Sequence, residues 1–279
     1  MTDEAQAFVP GHVTGFFTSE PDPDPTRAGS RGGGLALTDG VTVTVETGDP
    51  GLVVDGDPMA VEAVERVLDS LGVRDRATVS AESDLPVGTG FGVSGALALG
   101  TALAANAAFD CRRTENELVA AAHAAEVEAG TGLGDVVAQH RGGIPLRLAP
   151  GAPAVNDLDA IPARPRVEYL VMGELDTATI LADATDTLTA AGERALATVR
   201  ADPTLSTFME ASRGFSREAG LLTDPVEAVL ADVADAGGSG AMAMLGETVV
   251  ALGTGLSDAG YDPAVCAVHP GGATVAPDE

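Results

Sequence analysis

The alternation Val41-Thr42-Val43-Thr44-Val45 puts every second side chain on one apolar face, the mark of a half-buried strand, and residues 5–9 read as a shorter one. Between them, residues 19–34 are rich in Pro, Asp and Gly and predict a loop. Over 58–71 the apolar period becomes helical, with Val61, Val64, Val67, Leu68 and Leu71 on one side. Residues 77–81 predict a strand, 94–108 and 115–129 predict Ala-rich helices, and 145–148 a further short strand. Residues 150–165 hold four prolines and few long apolar side chains, which marks a boundary between an N-terminal unit, 1–150, and a C-terminal unit, 151–279. Beyond it the pattern predicts strands over 167–172, 241–245, 249–252 and 263–268, and helices over 182–200, 205–222 and 225–236. Elements in this order suit two mixed α+β layers rather than regular βαβ alternation.

Composition narrows the class. Of 279 residues 45% are hydrophobic but only 3% aromatic, so the core must be built from Ala, Val and Leu. Disorder does not fit that apolar content. No apolar run reaches the ~18 residues a membrane span needs, and the start, Met1-Thr2-Asp3-Glu4, is acidic where a secretory signal is basic. Two cysteines, Cys111 and Cys266, make no disulfide framework in a chain this long, and a cytoplasmic protein is expected. The net charge is −27, its acids are scattered along the chain, and all 15 basic residues are Arg. That pattern predicts a halophile-type surface, whose self-repulsion high salt screens. It offers no basic patch for nucleic acid.

The stretch Pro86-Val87-Gly88-Thr89-Gly90-Phe91-Gly92-Val93-Ser94-Gly95-Ala96 is a glycine-rich loop running into an apolar helix, an element suited to cradling a polyphosphate on backbone N–H groups. No Lys follows, which excludes a P-loop, and Gly92 stands one place short of a dinucleotide fingerprint. A second motif, His123-Ala124-Ala125-Glu126, is followed by Glu128 and by Gly130-Thr131-Gly132-Leu133-Gly134-Asp135. Phosphoryl transfer needs Mg²⁺ at the phosphates and commonly an acid near the attacking hydroxyl. Glu126 suits the first task and Asp135 the second; a solvated helix face and a helix N-cap are the structural alternatives. His12 follows a strand, Ser30 adjoins the run Gly32-Gly33-Gly34, and Arg147 stands between Leu146 and Leu148. A guanidinium in an apolar strand requires a partner, either an internal carboxylate or an anionic ligand.

Taken together, Val9-Pro10-Gly11-His12-Val13-Thr14-Gly15-Phe16-Phe17, Gly92-Val93-Ser94-Gly95-Ala96, and Ala125-Glu126 followed by Thr131-Gly132-Leu133-Gly134-Asp135-Val136-Val137-Ala138-Gln139 resemble the archaeal pantoate kinases of the GHMP kinase superfamily. The resemblance is collinear from residue 7 to residue 150 and weaker beyond. It implies a two-domain α+β GHMP kinase fold, with a ribosomal-protein-S5-like α/β domain followed by a ferredoxin-like α+β domain. It further implies ATP-dependent phosphorylation of (R)-pantoate to (R)-4-phosphopantoate, on the way to coenzyme A. On this resemblance Pro86, Gly88, Gly90, Gly92, Val93, Ser94, Gly95 and Ala96 bind ATP, and Ser94 and Glu126 hold Mg²⁺. Asp135 is the catalytic aspartate, acting with Glu126 and Ser94, while Ser30, His123 and Arg147 receive the pantoate; His12, by its place just past a strand end, is expected to join them. A homodimer is a further expectation. The late segment 237–246 is less glycine-rich than the superfamily's third motif, which leaves its part in the site open. Three rival readings stay open: a kinase of the same fold acting on mevalonate, homoserine or a sugar, a non-catalytic nucleotide or metabolite sensor, and a Rossmann-type reductase.

Overall fold

The computed structural model describes residues 4–174, 186–244 and 246–277. Residues 182–185 of the expected helix and Leu245 of an expected strand lie outside them, as do Met1-Thr2-Asp3 at the start.

The two alternating segments do pair, Ala5 opposite Val45 and Val9 opposite Val41, but inside much longer strands, β1 (Glu4–Phe17) and β2 (Gly32–Thr47). Pro10, Gly11 and Gly15 break the alternation in sequence, whereas in space two irregularities of register, at Pro10/His12 and Thr14/Phe16, absorb them. The expected loop therefore ends early, because residues 32–34 are strand. A Cβ on Gly32 would stand 2.2 Å from the Phe16 carbonyl oxygen, so glycine there serves a close backbone approach.

Next come β3 (Gly51–Val54), β4 (Asp57–Pro58), α1 (Glu62–Leu71), β5 (Ala77–Ser83), α2 (Val93–Ala108), α3 (Glu115–Ala129) and α4 (Asp135–Arg141). Helix α1 starts later than its apolar spacing predicts because Asp57 and Pro58 pair with β3. The bounds of α3 match expectation: Thr114 and Glu117 form a reciprocal capping box, and Gly130, at φ 70°, closes the other end. Strands β6 (Ile144–Ala149) and β7 (Asp157–Ile161) complete the first sheet, with β6 paired to both β2 and β7. The proline-rich segment thus holds a strand, the prolines lying on either side of it.

The second sheet begins at β8 (Arg166–Glu174), followed by α5 (Asp186–Ala201), α6 (Leu205–Glu218), α7 (Asp224–Asp235), β9 (Ser239–Ala243), β10 (Gly246–Leu252), a single turn α8 (Gly255–Asp258) and β11 (Ala264–Ala267). These four strands are antiparallel in the order β11-β8-β10-β9. A last short strand, β12 (Thr274–Val275), returns the chain to β1. The first sheet runs β12-β1-β2-β5-β3-β4, with only β3 and β5 parallel. Two mixed layers of this kind make the α+β architecture that the GHMP kinase fold implies.

Helix α2 lies against β1 and β2 and is buried along most of its length. Small residues make that possible: a Cβ on Gly100 would stand 2.5 Å from Val43 Cγ2. Ring pairs Phe16–Phe208 and Phe17–Phe215, at 5.6 and 5.5 Å, join the end of β1 to α6, so one core runs through both sheets. Among the described residues no helix is long and apolar enough to cross a membrane.

Surface arginines pair with acids, as Arg66 does with Glu62 and Glu128, and Arg74 with Glu65 and Asp69. Exposed pairs contribute little each, and 15 Arg cannot balance 42 acids. The melting temperature should rise by more than about 5 °C between 0.01 M and 1 M KCl, as screening shortens from about 30 Å to about 3 Å. A Tm equal at both salt concentrations contradicts this reading of the surface.

Candidate active site

The glycine-rich loop turns through left-handed backbone at Gly88, Gly90 and Gly92, with φ of 79°, 92° and 64°. Gly92 is the N-cap of α2 and supplies no side-chain cap, which leaves the first-turn N–H groups facing the recess beside the loop. Three bonds hold this shape. His12 N–H donates to the Phe91 carbonyl at 2.9 Å, Gln139 Nε2 to the Gly92 carbonyl at 2.9 Å, and Thr248 Oγ1 to the Thr89 carbonyl at 2.9 Å. The hairpin between β9 and β10 sits directly beneath: a Cβ on Gly246 would lie 2.0 Å from the Thr89 oxygen. So the late segment does meet the loop, at Gly246, the last of its glycines. A recess opens above, lined by Gly88, Gly90, Ser94, Thr131, Asp135, Thr14 and neighbouring residues.

At the near end of the recess, Ser94 Oγ donates to Glu126 Oε2 at 3.0 Å and Thr131 Oγ1 donates to Oε1 at 2.9 Å. Glu126 is buried on α3, which removes the solvated-face alternative. Burial raises its pKa to about 7, against the opposing pull of the two hydroxyls. Glycine at 132 allows the turn to lie on this carboxylate, since a Cβ there would stand 2.5 Å from Oε2.

Asp135 is the first residue of α4, and Gly134 is its cap. Its side chain does not cap the helix; Oδ1 accepts from His12 Nδ1 at 2.8 Å. Burial would raise its pKa, but the His12 hydrogen bond and the charge of Arg147 outweigh it and hold the carboxyl below its usual range. His12 itself is wholly buried, and that burial, more than Asp135 opposes it, lowers the imidazole pKa. The neutral ring therefore donates from Nδ1.

Arg147, on β6, is 2% exposed, and its Nε and Nη1 have no partner among the described residues. No ion pair to an internal carboxylate is found for it among them, so an anionic ligand is the partner left open. Burial depresses even this pKa. Arg147 faces a second, narrower recess, shared with Ser30, Leu133, Gly134, Thr14 and Asp135. A Cβ on Gly134 would meet Ser30 Oγ at 2.5 Å and Arg147 Nε at 2.6 Å. The two recesses share Thr14 and Asp135, so a group in one can meet a group in the other at that carboxylate.

The structure thus brings Ser94, Glu126, Asp135, Ser30 and Arg147 around one connected cleft. Two expected residues stand behind it. His12 lies beneath Asp135, and His123 Nε2 donates to the Ala28 carbonyl at 2.9 Å, fastening the segment that carries Ser30. The sequence reading overlooked Thr14, Thr131, Gln139 and Thr248. Thr14 is two places from His12 on one strand, and Gln139 is one helical turn from Asp135, spacings that could have drawn notice. Thr248 carries no such signal. A larger concavity near Gln6, Thr44 and Ser80 is lined by Asp55, Glu82 and Asp84 and by no cation, which suits no anion.

Residues 58–143 match the family described as GHMP kinases N terminal domain. The pantoate kinase of Methanocaldococcus jannaschii is 30% identical over 250 residues, covering 88% of this chain and 91% of its own. That of Thermococcus kodakarensis is 34% identical over 231 residues, 78% of this chain and 76% of its own. Among solved structures, a phosphotransferase related to the CoA biosynthesis pathway superposes with a TM-score of 0.86 at 28% identity, covering 98% of both chains.

Proposed function

From the premise that this chain belongs to the pantoate kinase family of the GHMP kinases, we propose how its cleft carries out the phosphorylation of pantoate by ATP, a step of coenzyme A synthesis. The glycine loop and the α2 N-terminus receive the ATP phosphates, where N–H groups and the helix dipole favour negative charge. With no Lys in the chain, the remaining neutralisation falls to a cation. The Glu126 carboxylate and Ser94 hydroxyl are hard oxygen donors, as Mg²⁺ prefers, and their small number suits an ion that keeps phosphate and water ligands. When bound, Mg²⁺ would offset the charge that develops on the transferred phosphoryl group.

The unpartnered guanidinium of Arg147 carries the acceptor side of the reading. It pairs with the pantoate carboxylate, with Ser30 beside it and His123 holding that segment in place. The primary hydroxyl then reaches Asp135, which orients it and takes its proton as the oxygen–phosphorus bond forms and the bond from the γ-phosphorus to the ADP oxygen breaks. A division into units 1–150 and 151–279 goes with this reading, the first carrying the reacting groups and the second closing the cleft.

Arg147→Lys should raise the pantoate KM on the order of tenfold or more while the ATP KM moves by less than about twofold, because an ammonium cannot grip a carboxylate through two parallel N–H bonds. Steady-state kinetics with each substrate varied in turn, in molar KCl with Mg²⁺, measure this. A raised ATP KM with normal pantoate KM would move Arg147 to the phosphates. Mevalonate and homoserine, offered in place of pantoate, test the acceptor directly: little ADP should form with either.

A further inference from the structure

His12 joins the glycine loop to Asp135. Its backbone N–H donates to the Phe91 carbonyl at 2.9 Å, next to the N-cap of the phosphate-facing helix. Its side chain holds Asp135 Oδ1 at 2.8 Å across 123 positions of sequence. The ring has no exposed surface, so it cannot contact an acceptor molecule directly. Space has been kept for it on the neighbouring strand. A Cβ on Gly34 would stand 2.1 Å from His12 Nε2 and 2.8 Å from Cε1, so the third glycine of the run 32–34 admits the imidazole. Among the described residues Nε2 has no partner, and besides the bond to Asp135 the ring meets only the Thr14 hydroxyl, at 3.5 Å from Nδ1.

From these contacts we infer that His12 is a positioning residue: it sets the Asp135 carboxylate in register with the glycine loop, so that the acceptor hydroxyl points along the line of phosphoryl transfer. The inference rests on the assignment of Asp135 to the acceptor hydroxyl. The second carboxylate oxygen stays available to that hydroxyl, while the first is occupied by the Nδ1–H. Without this donor Asp135 keeps the attraction of the Arg147 charge, and turning towards it would take the carboxylate out of line. Misplacement of a reacting group by about 1 Å costs on the order of 10²-fold in rate.

The test compares His12→Leu, which removes the donor, with His12→Asn, whose side-chain amide nitrogen keeps an N–H near the place of Nδ1. Leu should lower kcat by about 10- to 100-fold with both KM values within about twofold, and Asn should recover most of that loss. Equal loss in both variants, no loss in either, or a rise in pantoate KM at unchanged kcat overturns the inference. Nitrogen NMR of the wild-type imidazole gives a readout independent of any variant's folding. A ring protonated at Nδ1 and bare at Nε2 is required, and the opposite tautomer refutes the assignment. Asp135→Asn measured alongside separates the two levels: a fully active Asn variant removes the role of Asp135 itself. Loss there combined with normal His12 variants removes only the role of His12.

Discussion

Asp135→Asn lowers kcat by about 10²- to 10⁴-fold and leaves the ATP KM within about twofold of wild type, the scale of loss expected for a proton acceptor. The substitution keeps the size of the side chain and leaves Gly134 as the cap of α4, so the helix has no reason to fray. What changes is charge. The carboxylate accepts from His12 and lies in the field of Arg147, and both interactions hold it ionised well into acid. A carboxylate so stabilised is a weak base, and in the proposed mechanism its first contribution is to orient the hydroxyl by accepting its hydrogen bond. The proton follows late, as negative charge leaves the nucleophile for the phosphoryl group. An amide can orient from its oxygen but takes up no proton. Rapid-quench measurement of a single turnover reads the chemical step itself, and a rate near wild type there would reduce Asp135 to a structural residue.

Glu126→Gln should abolish Mg²⁺-dependent turnover, by more than about 10²-fold, and at the same time stabilise the protein without ligands above neutral pH. The two effects share one cause. Burial raises the Glu126 pKa from 4.5 to about 7, so the folded state favours the protonated form more than the unfolded chain does. For an acid shifted upwards the sign is fixed: below pH 4.5 there is no penalty, and stability is lost as pH rises from 4.5 towards 7. Above that it levels off, at a cost of about 3 kcal/mol or less. Gln carries no charge and its amide can still meet the hydroxyls of Ser94 and Thr131. The difference in Tm between Gln and wild type should therefore be small at pH 5 and reach several degrees at pH 8. Mg²⁺ with nucleotide should narrow the gap at pH 8 by stabilising the wild type. A Tm difference that does not depend on pH would show that the carboxylate suffers no strain from burial.

Much of the cleft was legible because its parts announce themselves locally. Three glycines at alternate positions before Ser94, a Gly-Thr-Gly-Leu-Gly turn before Asp135, and an Arg inside an apolar strand each look unusual within a few residues. The helix 115–129 was equally plain, since a capping box and a terminal glycine bracket it. What escaped depends on distance. The choice of His12 as the partner of Asp135, and of Thr248 as the partner of Thr89, joins residues 123 and 159 positions apart, and no local pattern encodes either. The same holds for β1 and β2, whose full length rests on register irregularities that accommodate glycine and proline inside a strand. Strand β7 was hidden because prolines on both sides made a composition window read as linker. Residue type also pointed His12 at the acceptor, where only packing reveals that its ring is shut away from it.

The hairpin beneath the glycine loop has a consequence for anyone who would re-engineer this cleft. Every group to which we assign a reacting role sits before residue 150, which invites treating the rest as a passive cover. Yet the peptide of Thr89 is clamped between its own loop and Thr248, with Gly246 leaving no room for a side chain between them. On the proposed reading of the loop, donor affinity depends on the whole chain. Library designs aimed at a new acceptor would vary the walls around Ser30 and Arg147, but a change that tilts β10 should also shift the Thr89 peptide of the loop it holds. On that reading the smaller sheet tunes the nucleotide side, and a redesign that ignores it should alter two specificities while intending one.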